Sequence, residues 1–211
     1  MMLTASRVSY GYAGVPVLQD VSMTVAAGTI TAVTGPNGSG KSTLLHLLAG
    51  VVTPLSGQVS GGGRLSLLPQ RTSDIDALPL TVQECVRIGR FRSWGGPHRG
   101  RLGSGRGLIG SGRSDRVAVA EIMERLGIAA LARRRLRELS GGQRQRVLIA
   151  QALVQPADVY ILDEPTVALD AASRGRVHEL LAERVGAGAA VVLASHDDAE
   201  ASLAGETLSL G

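Results

Sequence analysis

Lysine is almost missing from this chain of 211 residues. Lys41 is the only one, and every other member of the 22 basic positions is arginine. Cysteine is as rare. Cys85 stands alone, which excludes an internal disulfide framework, fits a reducing compartment and leaves Cys85 as a core side chain. Aromatic residues make up 2% of the chain, so a core drawn from the 44% of hydrophobic residues must be built of Leu, Val, Ile and Ala. No charged leader followed by an apolar run is present, so no secretory signal is expected. No apolar run reaches about 18 residues, so no transmembrane helix is expected. His46, His98, His178 and His196 are scattered, with no ligand spacing around Cys85, so a zinc site is not implied.

Against that background the place of the single lysine matters. It lies in "GPNGSGKST" (35–43), which fits G-x-x-x-x-G-K-[ST] with Gly35, Gly40, Lys41 and Ser42 in the fixed places. Glycines let the backbone turn tightly enough for several N–H groups to face one phosphate chain. The helix that follows adds its free N–H groups and positive dipole end. Lys41 would reach the β- and γ-phosphates as a compact charge, and Ser42 would place a hydroxyl on Mg²⁺. The context agrees: "TITAVT" (29–34) reads as a strand and "STLLHLLAG" (42–50) as a helix closed by Gly50.

Strands and helices alternate along the rest of the chain. Residues 1–34 read as short strands, 53–63 as a turn-rich segment and 64–70 as a strand ending at Gln70. Thr81 and Glu84 form a capping box that opens a helix over 80–90. Val119, Ile122, Met123 and Leu126 space an amphipathic helix over 114–128, with Gly127 just past its end. Ser140 caps a helix that stops at Pro156. Apolar strands at 159–164 and 189–196 flank a helix at about 171–185, and a last short helix and strand follow. This pattern predicts an α/β fold with a central, mainly parallel sheet. The expected organisation is one domain, with 1–70 and 140–211 as the core and 71–139 as a helical subdomain. The Gly/Ser/Arg stretch at 94–114 reads as a flexible surface loop. Its arginines raise contact with anionic lipid or nucleic acid, but only Phe91 and Trp94 lie near it as stacking groups.

"VYILDE" ends a buried strand in two acids, where α/β folds place their sites. Asp163 is the candidate Mg²⁺ ligand. Glu164 is the candidate base that orients or deprotonates a water aimed at the γ-phosphate, and His196 can hold Glu164 and that water in line. "LSGGQ" (139–143) offers a second anion cradle at a helix start, although the chain has one lysine loop. Two chains packed head to tail, each lending its second cradle to the other's nucleotide, resolve the mismatch by two-fold symmetry.

Tyr12, "GPNGSGKST", Gln70, "LSGGQRQRV", "VYILDE", Asp170 and "SHD" occur in the order and spacing of the ATP-binding cassette (ABC) ATPases, and the resemblance covers essentially the whole chain. It implies an ABC-type P-loop NTPase, with an N-terminal antiparallel β portion and an inserted helical subdomain. It implies ATP hydrolysis with ATP and Mg²⁺ as cofactors. Gly35, Pro36, Asn37, Gly38, Ser39, Gly40, Lys41, Ser42 and Thr43 are then the ATP-binding loop. Tyr12 resembles the adenine-stacking aromatic, with Tyr10 as the fallback. Gln70 resembles the residue that senses Mg²⁺ and water and begins the segment facing a membrane partner. Ser140, Gly141, Gly142 and Gln143 resemble the signature that grips the γ-phosphate across a dimer, and Asp170 resembles part of the loop linking the two sites. Val167 departs from the Ser usual in the family. The chain ends soon after His196, which the resemblance reads as the absence of a regulatory extension.

Residues 67–90 are similar to the matching segment of cassettes for zinc or manganese uptake; iron-chelate and vitamin cassettes look similar there. The expected function is the ATP-hydrolysing subunit of such a transporter. It would lie on the inner face of the cell membrane as a peripheral cytoplasmic protein, closing as a homodimer on ATP. Its partners would be an integral membrane permease and a substrate-binding protein, with no nucleic acid. Among non-transport relatives, repair proteins carry coiled-coil insertions and translation factors carry two cassettes, and neither feature is present; cofactor-assembly ATPases remain the alternative. An inactive binding module fits poorly with Lys41, Asp163, Glu164 and His196 together.

Overall fold

The computed structural model describes residues 3–70, 79–90, 112–195, 200 and 203–211. By its internal contacts the chain divides into two units. One comprises Met1–Gln70, Ala157–Pro165 and Leu181–Gly211, the other Arg71–Pro156 and Thr166–Leu180.

The first unit holds two sheets. Strands β1 (Leu3–Tyr12) and β2 (Val15–Val25) form an antiparallel hairpin. The connecting turn puts both Ala13 and Gly14 at positive φ (49° and 82°), the twist that suits a two-residue hairpin loop. On the other side of β1 lies β4 (Ser56–Gly61), also antiparallel, with Leu3 opposite Gly61 and Ala5 opposite Val59. Residues 56–61, within the segment 53–63 expected as turns, form this strand. Glycine and serine carry no strand signal of their own, and pairing with β1 makes this segment a strand.

The second sheet has the order β5–β6–β7–β3–β8, with every neighbouring pair parallel. Its strands are β3 (Ile30–Thr34), β5 (Leu65–Leu68), β6 (Val159–Asp163), β7 (Ala190–Ala194) and β8 (Glu206–Ser209). β6 and β7 are buried at every position, as strands covered on both faces must be. Helix α1 (Lys41–Leu48) packs on this sheet through Leu44, Leu45, Leu47 and Leu48, which join Val33, Ile161 and Val192 in one core with Leu3, Val8 and Val25 of β1 and β2.

The second unit is helical: α2 (Val82–Ile88), α3 (Arg113–Arg125), α4 (Gly141–Leu153) and the start of α5 (Ala171–Gly186), with short 3₁₀ turns at Ala129–Leu131 and Leu136–Glu138. The Thr81–Glu84 capping box is present, and bonds to Thr81 hold the Glu84 carboxyl below its ordinary range. Val119, Ile122, Met123 and Leu126 are buried as their spacing predicts, and so is Cys85, whose thiol burial pushes up to about 11. Arg90 binds Asp115 at 2.6 Å and donates to the Val154 carbonyl at 3.0 Å, which ties the end of α2 to α3 and α4. Helix α3 starts at Arg113, so the loop expected over 94–114 is shorter at its far end, while 94–111 lies outside the described residues. Phe91, His98 and the last short helix largely fall outside them too.

Candidate functional site

The parallel register decides where the chemistry gathers. All strands of the second sheet point the same way, so their carboxyl ends share one edge. The 35–43 loop follows β3, Pro69 and Gln70 follow β5, and Asp163 ends β6 with Glu164 next. Asp163 and Val33 are both Cα partners of Ala194 on β7, so the acid and the strand leading into the loop stand level across that strand. His196 follows β7 by two positions and lies outside the described residues.

Lys41 is 6% exposed, and its Nζ donates to the carbonyls of Gly35 (2.7 Å) and Pro36 (2.9 Å). An ammonium has three N–H groups, so one remains for a ligand. Helix α1 begins directly at Lys41, with no side-chain bond capping its first turn, which leaves backbone donors for an anion. Gly40 is held at φ 95° and lies against β2. A Cβ there would fall 2.8 Å from Leu18 Cδ2 and 3.0 Å from Val17 Cγ1. The loop is therefore seated on the β1–β2 hairpin, a support that periodicity does not reveal.

Asp163 is 2% exposed, and neither of its carboxylate oxygens has a hydrogen-bond partner among the described residues. Burial pushes its pKa up; the nearby Ser42 hydroxyl favours the charged form without reaching bonding geometry. A buried acid with two orphaned oxygens beside a serine hydroxyl and a lysine fits a hard cation, the donor set that Mg²⁺ takes. Glu164 sits at φ 48°, left-handed backbone that costs a non-glycine residue energy and recurs at functional sites. Its Oε2 accepts from Gln70 Nε2 at 2.8 Å, and its N–H donates to the Ala194 carbonyl at 3.0 Å. Two site residues expected separately from the sequence, Gln70 and Glu164, are thus in direct contact. Tyr12 is 50% exposed at the end of β1 and stands nearly perpendicular to Tyr10, with ring centroids 5.1 Å apart.

Residues 18–167 match the family model described as ABC transporter. This chain belongs to the ABC transporter family, and it is an ATPase. Among relatives of the cassette, the zinc transport system ATP-binding protein TroB of Treponema pallidum (strain Nichols) is 36% identical over 86% of this chain and 67% of its own length. The manganese transport system ATP-binding protein MntB of Bacillus subtilis (strain 168) is 36% identical over 90% of this chain and 75% of its own. The hemin import ATP-binding protein HmuV of Streptomyces coelicolor is 40% identical over 93% and 70%. A solved structure described as an inward-facing conformation of a putative metal-chelate type ABC transporter superposes with TM-score 0.78 at 30% identity, covering 99% of the cassette and 79% of that chain. The dimeric MJ0796 cassette, at 24% identity and covering 99% and 94%, gives 0.80 and shares the fold.

The cassette's "LSGGQ" stretch lies in the helical unit. Ser140 Oγ accepts from Gln143 N at 3.3 Å, and Gln143 Oε1 accepts from Ser140 N at 3.1 Å, a reciprocal cap at the start of α4. Gly141 has open space where a Cβ would stand; Gly142 would place one 2.8 Å from the Ala168 carbonyl. Asp170 Oδ1 accepts from Ser173 N at 2.7 Å, and that bond holds its carboxyl below the usual range. Val167 is 60% exposed. Among the described residues no helix is long and apolar enough to cross a membrane, and no group of three or more His, Cys, Asp or Glu side chains could together hold a metal.

Proposed function

We propose that this cassette hydrolyses ATP to drive uptake of a metal ion, zinc or manganese, through a separate integral membrane permease fed by a substrate-binding protein. The observation that carries the catalytic part is the orphaned, buried Asp163 carboxylate level with the strand that feeds the lysine loop. Residues 35–43 wrap the phosphates, with Lys41 supplying the fixed positive charge. Asp163, Ser42 and Gln70 would hold Mg²⁺, which would supply charge to screen the phosphate oxygens. Glu164 takes the proton of the attacking water, steadied by Gln70 and His196. Tyr12 stacks on adenine. Metal as the cargo follows the names of TroB and MntB; the likeness to HmuV keeps an iron-porphyrin cargo as the second reading. Deleting the chain and measuring uptake of radiolabelled zinc and manganese beside hemin separates the two. Unchanged uptake of both metals rejects the first.

The same reading makes the working unit a dimer at the inner face of the membrane, with Ser140, Gly141, Gly142 and Gln143 of one chain completing the site of the other, joined through Asp170. Lys41→Ala destroys one loop and keeps the signature; Ser140→Arg does the reverse. Each alone is expected to be nearly inactive, and mixing them restores one complete site and part of the turnover. A wild-type chain that hydrolyses ATP while staying monomeric at all nucleotide concentrations ends the dimer reading.

A further inference from the structure

Aromatic side chains are scarce here, with Tyr 3, Trp 1 and Phe 1 in the whole chain, yet two of the tyrosines stand two positions apart at the end of β1. Their rings are nearly perpendicular (82°) with centroids 5.1 Å apart, the edge-to-face geometry that aromatic quadrupoles prefer. The two rings are embedded differently. Tyr10 is half-buried and packs against the hydrophobic core of its unit, whereas Tyr12 is 50% exposed. Tyr10 also lies directly across the hairpin from Leu18, the side chain on which Gly40 of the phosphate loop rests. Tyr12 stands two residues further along, roughly 6–7 Å at the rise of a strand.

We infer that Tyr10 is a positioning residue for nucleotide binding: anchored in the core, it holds the Tyr12 ring in one orientation beside the phosphate loop, so that the base meets a preformed platform. This rests on the reading of Tyr12 as the adenine-stacking group. Without Tyr10, the Tyr12 ring on its exposed strand end would lose its lateral stop, and ordering it would fall to the bound base. The phosphate contacts would be untouched.

The test is a double-mutant cycle on steady-state ATP hydrolysis, with inorganic tripolyphosphate as a base-free competitor. Tyr10→Leu keeps apolar packing and removes the ring; it is expected to raise KM for ATP about three- to ten-fold with kcat nearly unchanged. Inhibition by tripolyphosphate stays as in the wild type. Tyr10→Phe keeps the ring and restores KM to within about two-fold. Tyr12→Ala raises KM at least as much as Tyr10→Leu, and adding Tyr10→Leu to it raises KM no further, because Tyr10 acts through Tyr12. If Tyr10→Leu lowers the melting temperature enough to confuse the reading, Tyr10→Val, a better strand former, carries the same cycle. Additive effects, or a parallel loss of tripolyphosphate inhibition, overturn the positioning role. So does an unchanged KM in Tyr10→Leu when Tyr12→Ala raises it. An unchanged KM in Tyr12→Ala overturns the stacking role of Tyr12 itself.

Discussion

The loop at 35–43 and the turn at 140–143 are both glycine-bearing helix starts, and they treat their polar groups in opposite ways. The first takes a lysine out of water, occupies two of its N–H groups with its own carbonyls, and leaves the buried Asp163 oxygens without partners. The second satisfies itself: serine and glutamine exchange bonds with each other's backbone, and Ser140 and Gly141 are exposed. Buried groups with unmet capacity are costly, so the first loop is where a bound charge has most to satisfy. The self-capped turn is content in isolation and gains a ligand only by being met from outside. On the proposed reading, one chain carries a site that asks for a nucleotide and a surface that can wait for one.

The largest effect should come from breaking the first loop. Lys41→Ala is expected to lower ATP affinity and turnover together by roughly 10²-fold or more, measured by calorimetry and phosphate release. Affinity that survives this change would erase the distinction between the two loops. Glu164→Gln should separate binding from chemistry. ATP binds as before, while hydrolysis slows by about 10²-fold or more, because an amide cannot take the water's proton. Wild-type hydrolysis in that variant would move the base elsewhere.

The second turn can be sharpened with its two glycines. Gly142→Ala drives a Cβ into the Ala168 carbonyl and should cost about 1–3 kcal/mol of stability in the nucleotide-free chain. Gly141→Ala meets nothing and should be neutral to stabilising by about 0.5–1 kcal/mol, since it removes a helical glycine. Equal thermal shifts in the two variants would mean that the turn does not rest on the 166–170 loop.

The smallest effect concerns the unmet carboxylate. Its folded-state pKa is raised, so the folded chain binds that proton more tightly than the unfolded one, and the penalty of ionising it is fully present above the folded pKa. Asp163→Asn removes that penalty and should raise the melting temperature of the Mg²⁺-free chain at neutral pH. The gain should shrink as pH falls through the folded pKa towards the ordinary carboxylate range. A variant less stable than wild type at neutral pH would show that the carboxylate is satisfied after all.

Much of this was legible beforehand because local rules and tertiary packing agree. The capping boxes at Thr81 and Ser140, the apolar runs of β6 and β7, and the spacing of Val119, Ile122 and Met123 each dictate one local structure, and each is present. β4 was missed because its Gly and Ser residues are strand only by virtue of β1, a partner about fifty residues away in sequence. The candidate site residues were nameable from motifs and from the family resemblance; their states were not. That Glu164 takes left-handed backbone and touches Gln70 depends on β5 and β6 being neighbours, and no local pattern encodes that pairing.

The strand order has a consequence for synthesis. β3, which leads into the 35–43 loop, has β7 and β8 as its two neighbours, formed by residues 190–194 and 206–209. A nascent chain therefore displays Ala32 and Val33, fully covered in the finished fold, with both edges of their strand unpaired until those distant segments emerge. Contacts of such long sequence separation form slowly and leave apolar edges open to misassociation meanwhile. If the 35–43 loop binds nucleotide as proposed, that binding would arrive late in synthesis, as a mark that the sheet has closed.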